Sequence, residues 1–334
     1  MDKSSNVSVI VPIKGRSHLF GPLVQSLVRQ TYLDWEAVVV DDSSSAAEYE
    51  RIAAFAGSDQ RIRLLRNSGP RSGACACRNA GFAASTGPYV VFVDSDDALA
   101  ETCLAHRVDV MERNPGLDFA AFPMWVFHQA PGDSPFLWNT FTAEDDLDRF
   151  LRADSPWNTS GVIWRRASLA RTGLWDERAQ SWQDWEFHIR ALADGMQYLK
   201  TPEPDSFWRA PTAAGSIGSV STSSRHAFRR VRLLKAVTAG LAAHGVLTPR
   251  RRRALGMQFF NHAFRSRQSF RRMLLIWRTG RRAKAVSLFE FWAVLFCELL
   301  MRTARRLSRG CEGWLYPDLL KAPQYGRHRS PPTP

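Results

Sequence analysis

The sequence predicts an α/β fold: a doubly wound, mostly parallel sheet with helices on both faces, followed by a basic helical extension. Three observations carry that reading. Short β-branched runs alternate with stretches of helical period through the first hundred residues, which calls for parallel strands joined by right-handed crossovers. Two of those runs open directly onto clusters of aspartate. A chain of 334 residues, 45% hydrophobic and 23% charged, is long enough to bury such a sheet and too apolar for wholesale disorder.

The elements follow in order. Val7 to Pro12 is an apolar run closed by proline, which suits a first strand whose ladder stops there. Leu19, Leu23, Leu27 and Val28 recur at helical spacing, and Trp35 to Val40 forms a second strand ending on Asp41-Asp42-Ser43. Arg61 to Leu65 supplies a third strand. The alanine-rich stretch Gly73 to Ser85 is a helix holding Arg78 and Asn79, and Tyr89 to Val93 is a buried strand ending on Asp94-Ser95-Asp96-Asp97. Leu104 to Arg113 is helical, Asp118 to Phe127 is another strand, and Gln129 to Asp154 is a looser segment. Trp157 to Trp164 is a strand whose tryptophans either stack on sugars or simply fill the core. Ser181 to Arg190 is helical, with Trp182, Trp185, Ile189 and Leu192 on its inward face.

In parallel sheets, ligands sit outside the carboxyl ends of the strands, so both acidic clusters fall at one edge. Unpaired carboxylates there need a cation or water. The Asp-x-Asp spacing offers oxygen ligands to Mg²⁺ or Mn²⁺, which takes one or two protein carboxylates and completes its shell with water and phosphates. The plainer alternative is that Asp96 or Asp97 caps a helix beginning near Ala98. Asp184 lies off the apolar stripe in the first turn of its helix, where the dipole favours an ionised carboxylate able to take a proton from a hydroxyl. Its alternative is a capping box with Ser181.

From about Ser8 to Ser224 the chain resembles a glycosyltransferase family 2 domain of the GT-A fold, the inverting, nucleotide-sugar-dependent class. Five motifs in order carry the resemblance: Val7-Ser8-Val9-Ile10-Val11-Pro12, Val38-Val39-Val40-Asp41-Asp42-Ser43, Arg78-Asn79-Ala80-Gly81, Val91-Phe92-Val93-Asp94-Ser95-Asp96-Asp97, and Gln183-Asp184-Trp185-Glu186 followed by Arg190. The resemblance implies that Pro12, Asp41, Asp42 and Arg78 line the nucleotide pocket, that Asp94 reaches the ribose, that Asp96 holds the divalent metal, and that Asp184 is the catalytic base. It implies a sugar transfer from a nucleoside diphosphate sugar to a glycan or lipid-linked glycan in cell-surface polysaccharide synthesis. Residues 1–224 then form the catalytic domain, with the nucleotide sugar on about 1–100 and the acceptor on about 101–224. Two positions depart from the family's pattern. Gln183 stands where an acid is usual, and Trp208-Arg209-Ala210-Pro211 puts proline where a histidine is usual, so the third metal ligand is open and His226 is a substitute. An inactive nucleotide-sugar or glycan binding module and a nucleotidyltransferase are the competing classes.

The remainder is basic. From Arg225 onward there are 24 Lys plus Arg against 4 Asp plus Glu, while residues 1–224 carry 21 against 28. Residues 225–325 form a basic amphipathic helical extension and residues 326–334 a disordered tail. Ala285 to Met301 is apolar except for Ser287, Glu290 and Glu298. As a helix it would be about 25 Å long, short of the roughly 30 Å hydrocarbon core of a bilayer. The arginine-edged helices therefore fit an anionic membrane surface better than a span. They also fit it better than nucleic acid, because no base-reading motif accompanies the arginines. Five cysteines without paired spacing read as reduced thiols. Residues 1–8 lack a signal-peptide core, so the expected location is cytoplasmic, peripheral on the inner face of the cell membrane.

Overall fold

The computed structural model describes residues 6–211, 224–265 and 270–303. Strand and helix alternate through β1 (Val7–Ile13), α1 (Ser17–Val28), β2 (Trp35–Asp41), α2 (Ala46–Ala56), β3 (Ile62–Arg66), α3 (Ala74–Ala84) and β4 (Tyr89–Phe92). Next come β5 (Ala98–Leu99), α4 (Cys103–Arg113), β6 (Phe119–Ala121), β7 (Met124–Phe127), α5 (Asp146–Leu151), β8 (Val162–Arg165) and α6 (Arg166–Thr172). The series continues with α7 (Gln183–Ala193), β9 (Tyr198–Lys200), β10 (Ser206–Arg209), α8 (Ser224–Ala243), α9 (Pro249–Arg265), α10 (Phe270–Arg282) and α11 (Leu288–Thr303).

Seven strands make the main sheet in the order β3-β2-β1-β4-β8-β6-β9, and β8 alone runs against the other six. A small second sheet, β5-β10-β7, flanks it. The period-2 alternation of β1 sorts its side chains between two cores. Val7, Val9, Val11 and Ile13 meet Phe20, Leu23 and Leu27 of α1, Ile52 of α2 and Leu104 and Val108 of α4. Ile10 faces the other way, into the core of Val90, Phe92 and Cys75. Helix α3 lies against that second face so closely that a Cβ at Gly81 would stand 2.5 Å from Ile10 Cγ2, which explains the glycine one turn beyond Arg78.

The strand β1 runs through Pro12 rather than ending at it, pairing Pro12 with Val40 and Ile13 with Asp41. Pairing with β4 stops at Ile10, whose carbonyl accepts from the Val93 amide, while the Ile13 carbonyl accepts from Asp42 on the β2 side. By that alternation the amide missing from Pro12 falls beyond the end of the β4 ladder, where it costs no hydrogen bond. No helix starts at Ala98. Residues 98–99 pair instead with β10, and α4 begins at Cys103. The stretch 118–127 is two strands in two different sheets, and the looser segment after it holds α5. Trp157 and Trp164 are buried against Phe119 and the α7 core, so they are packing residues and not a sugar platform.

Helices α8 and α9 close over α7 and α5 and, through Leu234, Leu255 and Phe259 and with Trp277 of α10, share one apolar core with the main sheet. Half of the four-arginine run serves this docking: Arg251 reaches Asp148 at 2.7 Å and Asp145 at 3.1 Å, and Arg250 reaches Asp148 at 3.1 Å. No helix of the described residues is long and apolar enough to cross a membrane. The expected tail 326–334, with residues 304–325 of the expected helical extension, lies outside the described residues.

Candidate active site

The site forms where β1, β2 and β4 end. Pro12 is buried one residue before the end of β1. Asp41 is buried at the end of β2 and accepts from both the amide and the hydroxyl of Ser44. Asp42 accepts from the Gly73 amide at 3.0 Å, Asn67 Nδ2 at 3.1 Å and Lys14 Nζ at 3.2 Å. Burial acts to raise the Asp42 pKa, but these donors outweigh it and hold the carboxyl below its ordinary value. Three of the loops at this edge carry a non-glycine residue with positive φ: Arg16 (53°), Ser43 (63°) and Trp182 (58°). Such backbone strain persists only where surrounding contacts fix it, and it gathers at ligand sites.

Arg78 links the two halves of the edge. Its buried guanidinium donates to Asp94 Oδ1 at 2.6 Å and to Gln183 Oε1 at 3.2 Å, and lies 4.3 Å over the Trp175 ring. Gln183 thus accepts from an arginine as an acid at that position would, without the charge. Asp184 follows, in the first turn of α7. Burial, with the charge of Asp94 adding to it, raises the Asp184 pKa above its ordinary value, against the backbone amide of Trp185 and the charge of Arg78. No capping box forms: the N-cap of α7 is Trp182 and makes no side-chain cap bond, while Ser181 accepts from Arg230 of α8 at 3.3 Å. Arg230 lies 5.1 Å over the Trp182 ring and His262 of α9 packs on its side, so the C-terminal helices hold the turn that presents Asp184. His188, one turn on, is not a candidate base. Burial among Phe150, Trp157, Trp164 and Phe187 pushes it down to about 3, keeping it neutral.

The acids after β4 divide by environment. Asp97 is buried and points inward, accepting from Ser160 Oγ at 2.6 Å and from the Arg209 amide at 3.1 Å. Burial, reinforced by the charges of Asp96 and Asp94, raises its pKa well above the ordinary value. Asp94 and Asp96 keep open side chains. Asp96 touches Arg16 at 3.4 Å, and its pKa is raised by burial of its surroundings and by Asp94. Ser160 ties the segment together, because its Oγ also accepts from the Asp94 amide at 3.0 Å. Arg209 braces it from β10 by donating from Nε to the Asp96 carbonyl at 2.9 Å.

Among the described residues no three His, Cys, Asp or Glu side chains converge on a single point able to hold a metal. The donor set still fits Mg²⁺ or Mn²⁺ of the kind that arrives with a diphosphate, since such an ion takes one or two carboxylates and leaves the rest to phosphate and water. Asp94 and Asp96 are open, mutually repelling carboxylates, and an added cation relieves that repulsion. The side chain of His226 lies outside those described.

The edge therefore brings Pro12, Asp41, Asp42, Arg78, Asp94, Asp96 and Asp184 onto contiguous elements. Sequence reasoning missed Ser160, Arg209 as a brace, and Arg16. Arg16 carried one legible signal, its place right after a Lys-Gly pair at the end of β1; Ser160 carried none.

Residues 8–171 match the model of the family described as glycosyl transferase family 2. An uncharacterized glycosyltransferase of Haemophilus influenzae is 24% identical over 68% of this chain and 76% of its own length. The Escherichia coli UDP-Glc:alpha-D-GlcNAc-diphosphoundecaprenol beta-1,3-glucosyltransferase WfgD is 34% identical over 32% of this chain and 42% of its own, so that match spans under half of the relative. The structure of S. aureus TarS 1-349 in complex with UDP-GlcNAc shares the fold with a TM-score of 0.64 at 16% identity, over 95% of this chain and 92% of that one. The mannosyltransferase PcManGT from Pyrobaculum calidifontis in complex with GDP-Man and Mn2+ gives 0.52 at 17% identity, over 94% and 84%.

Proposed function

We propose that the chain, whose residues 8–171 match glycosyl transferase family 2, is a glycosyltransferase that moves one sugar from a nucleoside diphosphate sugar to a glycan or lipid-linked glycan acceptor, with inversion, in cell-surface polysaccharide synthesis. One observation carries the reading: Arg78 binds Asp94 at 2.6 Å and Gln183 at 3.2 Å, which holds the acids after β4 and the start of α7 at a single edge. Relatives and neighbours supply the chemical classes, a diphosphoundecaprenol-linked acceptor in the name of WfgD and UDP-GlcNAc or GDP-Man in the solved complexes.

Pro12, Asp41 and Asp42 line the nucleotide pocket, with Arg78 on the donor side and Asp94 toward the ribose. Asp96 holds Mg²⁺ or Mn²⁺, which when bound supplies positive charge against the departing diphosphate. Asp184 takes the proton of the acceptor hydroxyl while that oxygen attacks the anomeric carbon from the face opposite the diphosphate. The bond from the anomeric carbon to the diphosphate oxygen breaks and its electron pair leaves with the nucleoside diphosphate. A single displacement inverts the centre, and no covalent intermediate on the enzyme is needed. The raised pKa of Asp184 brings the base toward working pH, where proton transfer is most effective. The catalytic domain is residues 1–224 and the extension 225–325. The location we propose is peripheral, on the inner face of the cell membrane, where a lipid-linked acceptor is presented.

The test is release of nucleoside diphosphate across a donor panel, with Mn²⁺ or with chelator. Turnover that needs metal, is abolished in Asp96→Ala and leaves the melting temperature of that variant unchanged is the expected result. Release of pyrophosphate instead would make the enzyme a nucleotidyltransferase, and a product that keeps the donor's anomeric configuration would remove Asp184 as sole base.

A further inference from the structure

The densest exposed apolar surface among the described residues lies on α10 and α11. Leu288, Phe289, Trp292 and Phe296 are 56%, 72%, 58% and 62% exposed. At about 100° per residue they fall within a stripe about 100° wide along α11. The inward side of the same helix carries Phe291, which is buried and stacks on Trp277 at 6.5 Å. Glu290 stands off the stripe, its carboxylate accepting from the Ser287 amide at 2.8 Å to cap the helix. A helix on the surface of a globular protein normally turns its apolar stripe inward. Here a second apolar stripe faces out, and a contiguous patch of that kind marks a contact surface.

Helix α10, which packs against α11, carries positive charge on its exposed side. Leu275 is 52% exposed, and Arg271, Arg278 and Arg282 stand four before, three after and seven after it, on the same helix face. All three arginines are exposed, as is Lys284, and none of the four forms an ion pair with a described residue. They differ in this from Arg250 and Arg251 of α9, which are spent on Asp145 and Asp148.

We infer that this face of α10 and α11 is where the enzyme lies on an anionic phospholipid surface, with the α11 stripe in the interfacial layer and the α10 arginines on headgroup phosphates. The inference rests on the peripheral location proposed above and names the surface that achieves it. Lipid suits both halves of the face at once, because an apolar stripe alone would suit any greasy partner while exposed cations with no acidic partner among the described residues select an anionic one.

The test uses the full chain and vesicles of phosphatidylcholine with or without phosphatidylglycerol, read by co-sedimentation. Expected are binding only to the anionic vesicles, release at high salt, and at least a tenfold weaker association for the double variant Phe289→Asp/Trp292→Asp. The control Arg252→Ser/Arg253→Ser, which removes two exposed arginines from α9, should bind within about twofold of the parent. Brominated lipid should quench a component of tryptophan fluorescence that Trp292→Phe lacks, a readout that survives if the double variant misfolds. If the parent binds no vesicle, the peripheral location falls. If parent and double variant bind alike and Trp292 is not quenched, the location stands and this face falls. A solution dimer lost in the double variant, with no vesicle binding by the parent, would give the face to a second copy of the chain.

Discussion

Two sets of carboxylates, one on each side of Ser160, are treated in opposite ways by this fold. Asp205 is buried and fully answered: Arg107, itself buried, donates to both of its oxygens at 2.8 and 2.7 Å and sends its remaining arm to the Ser160 carbonyl at 2.9 Å. Asp94 and Asp96 lie open at the sheet edge, with one single-point arginine contact each. Asp97 stands between these regimes, buried yet answered, among the described residues, by a hydroxyl and a backbone amide. An acid that serves the fold is neutralised within the protein, whereas an acid that serves a ligand is left with capacity to spare. The contrast predicts that substitutions in the two sets will damage different things.

The largest effect should come at the open edge. Asp184→Asn removes the proton acceptor while keeping shape, so transfer should fall roughly 10²- to 10⁴-fold with donor affinity and melting temperature nearly unchanged. Rates with a saturating donor, set beside calorimetric donor binding, check it. The pH profile sharpens the point. Because the folded-state pKa of Asp184 is raised, the carboxyl keeps its proton to higher pH, so kcat/KM should decline as pH falls through a value above 3.8. Transfer that survives in the asparagine variant would return Asp184 to a purely structural role.

At the closed pair the damage should be to stability. Arg107→Met keeps most of the volume but leaves Asp205 buried without its partner, a change that costs about 3–5 kcal/mol. Chemical denaturation of the folded variant measures it. Adding Asp205→Asn should recover part of the loss, since the second substitution removes the stranded charge. Equal stability of parent and single variant would mean that the pair is not sealed from water.

Much of this division was legible in the sequence, and the rest failed for a physical reason. Strands β1 to β4 and the acids that close them are written in local periodicity, which needs no partner to interpret. Arg78 and Asp184 stood out because each sits in a short motif at a fixed place relative to a strand or helix start. Ser160 had no such mark. Its role exists only because β8 runs antiparallel beside β4 and brings residue 160 against residues 94 and 97. The helix expected near Ala98 failed likewise, since a two-residue strand there is stabilised by β10, over a hundred residues away. Trp157 and Trp164 carried two meanings that composition cannot separate, and burial decided for packing. The arginine run in α9 read as free positive charge until Asp145 and Asp148 were found against it.

The smallest effect should fall on the residue that joins the two regimes. Ser160→Ala removes one of the two donors to the Asp97 carboxylate and the acceptor of the Asp94 amide. Leaving buried groups short of a partner costs about 1–3 kcal/mol. The loss should depend on pH with a definite sign. Asp97 already has a folded-state pKa well above the ordinary 3.8 of an aspartate, chiefly through burial, so in the parent its share of stability is present at low pH and declines as pH rises toward that higher pKa. The serine hydroxyl works against the rise by stabilising the ionised form. Without it the folded pKa climbs further, the decline continues to higher pH, and the gap between variant and parent widens from acid to neutral solution. Urea denaturation at about pH 5 and pH 8 reads that gap directly. A constant difference at the two pH values would show that Ser160 contributes packing alone, and that Asp97 is held by the Arg209 amide without its help.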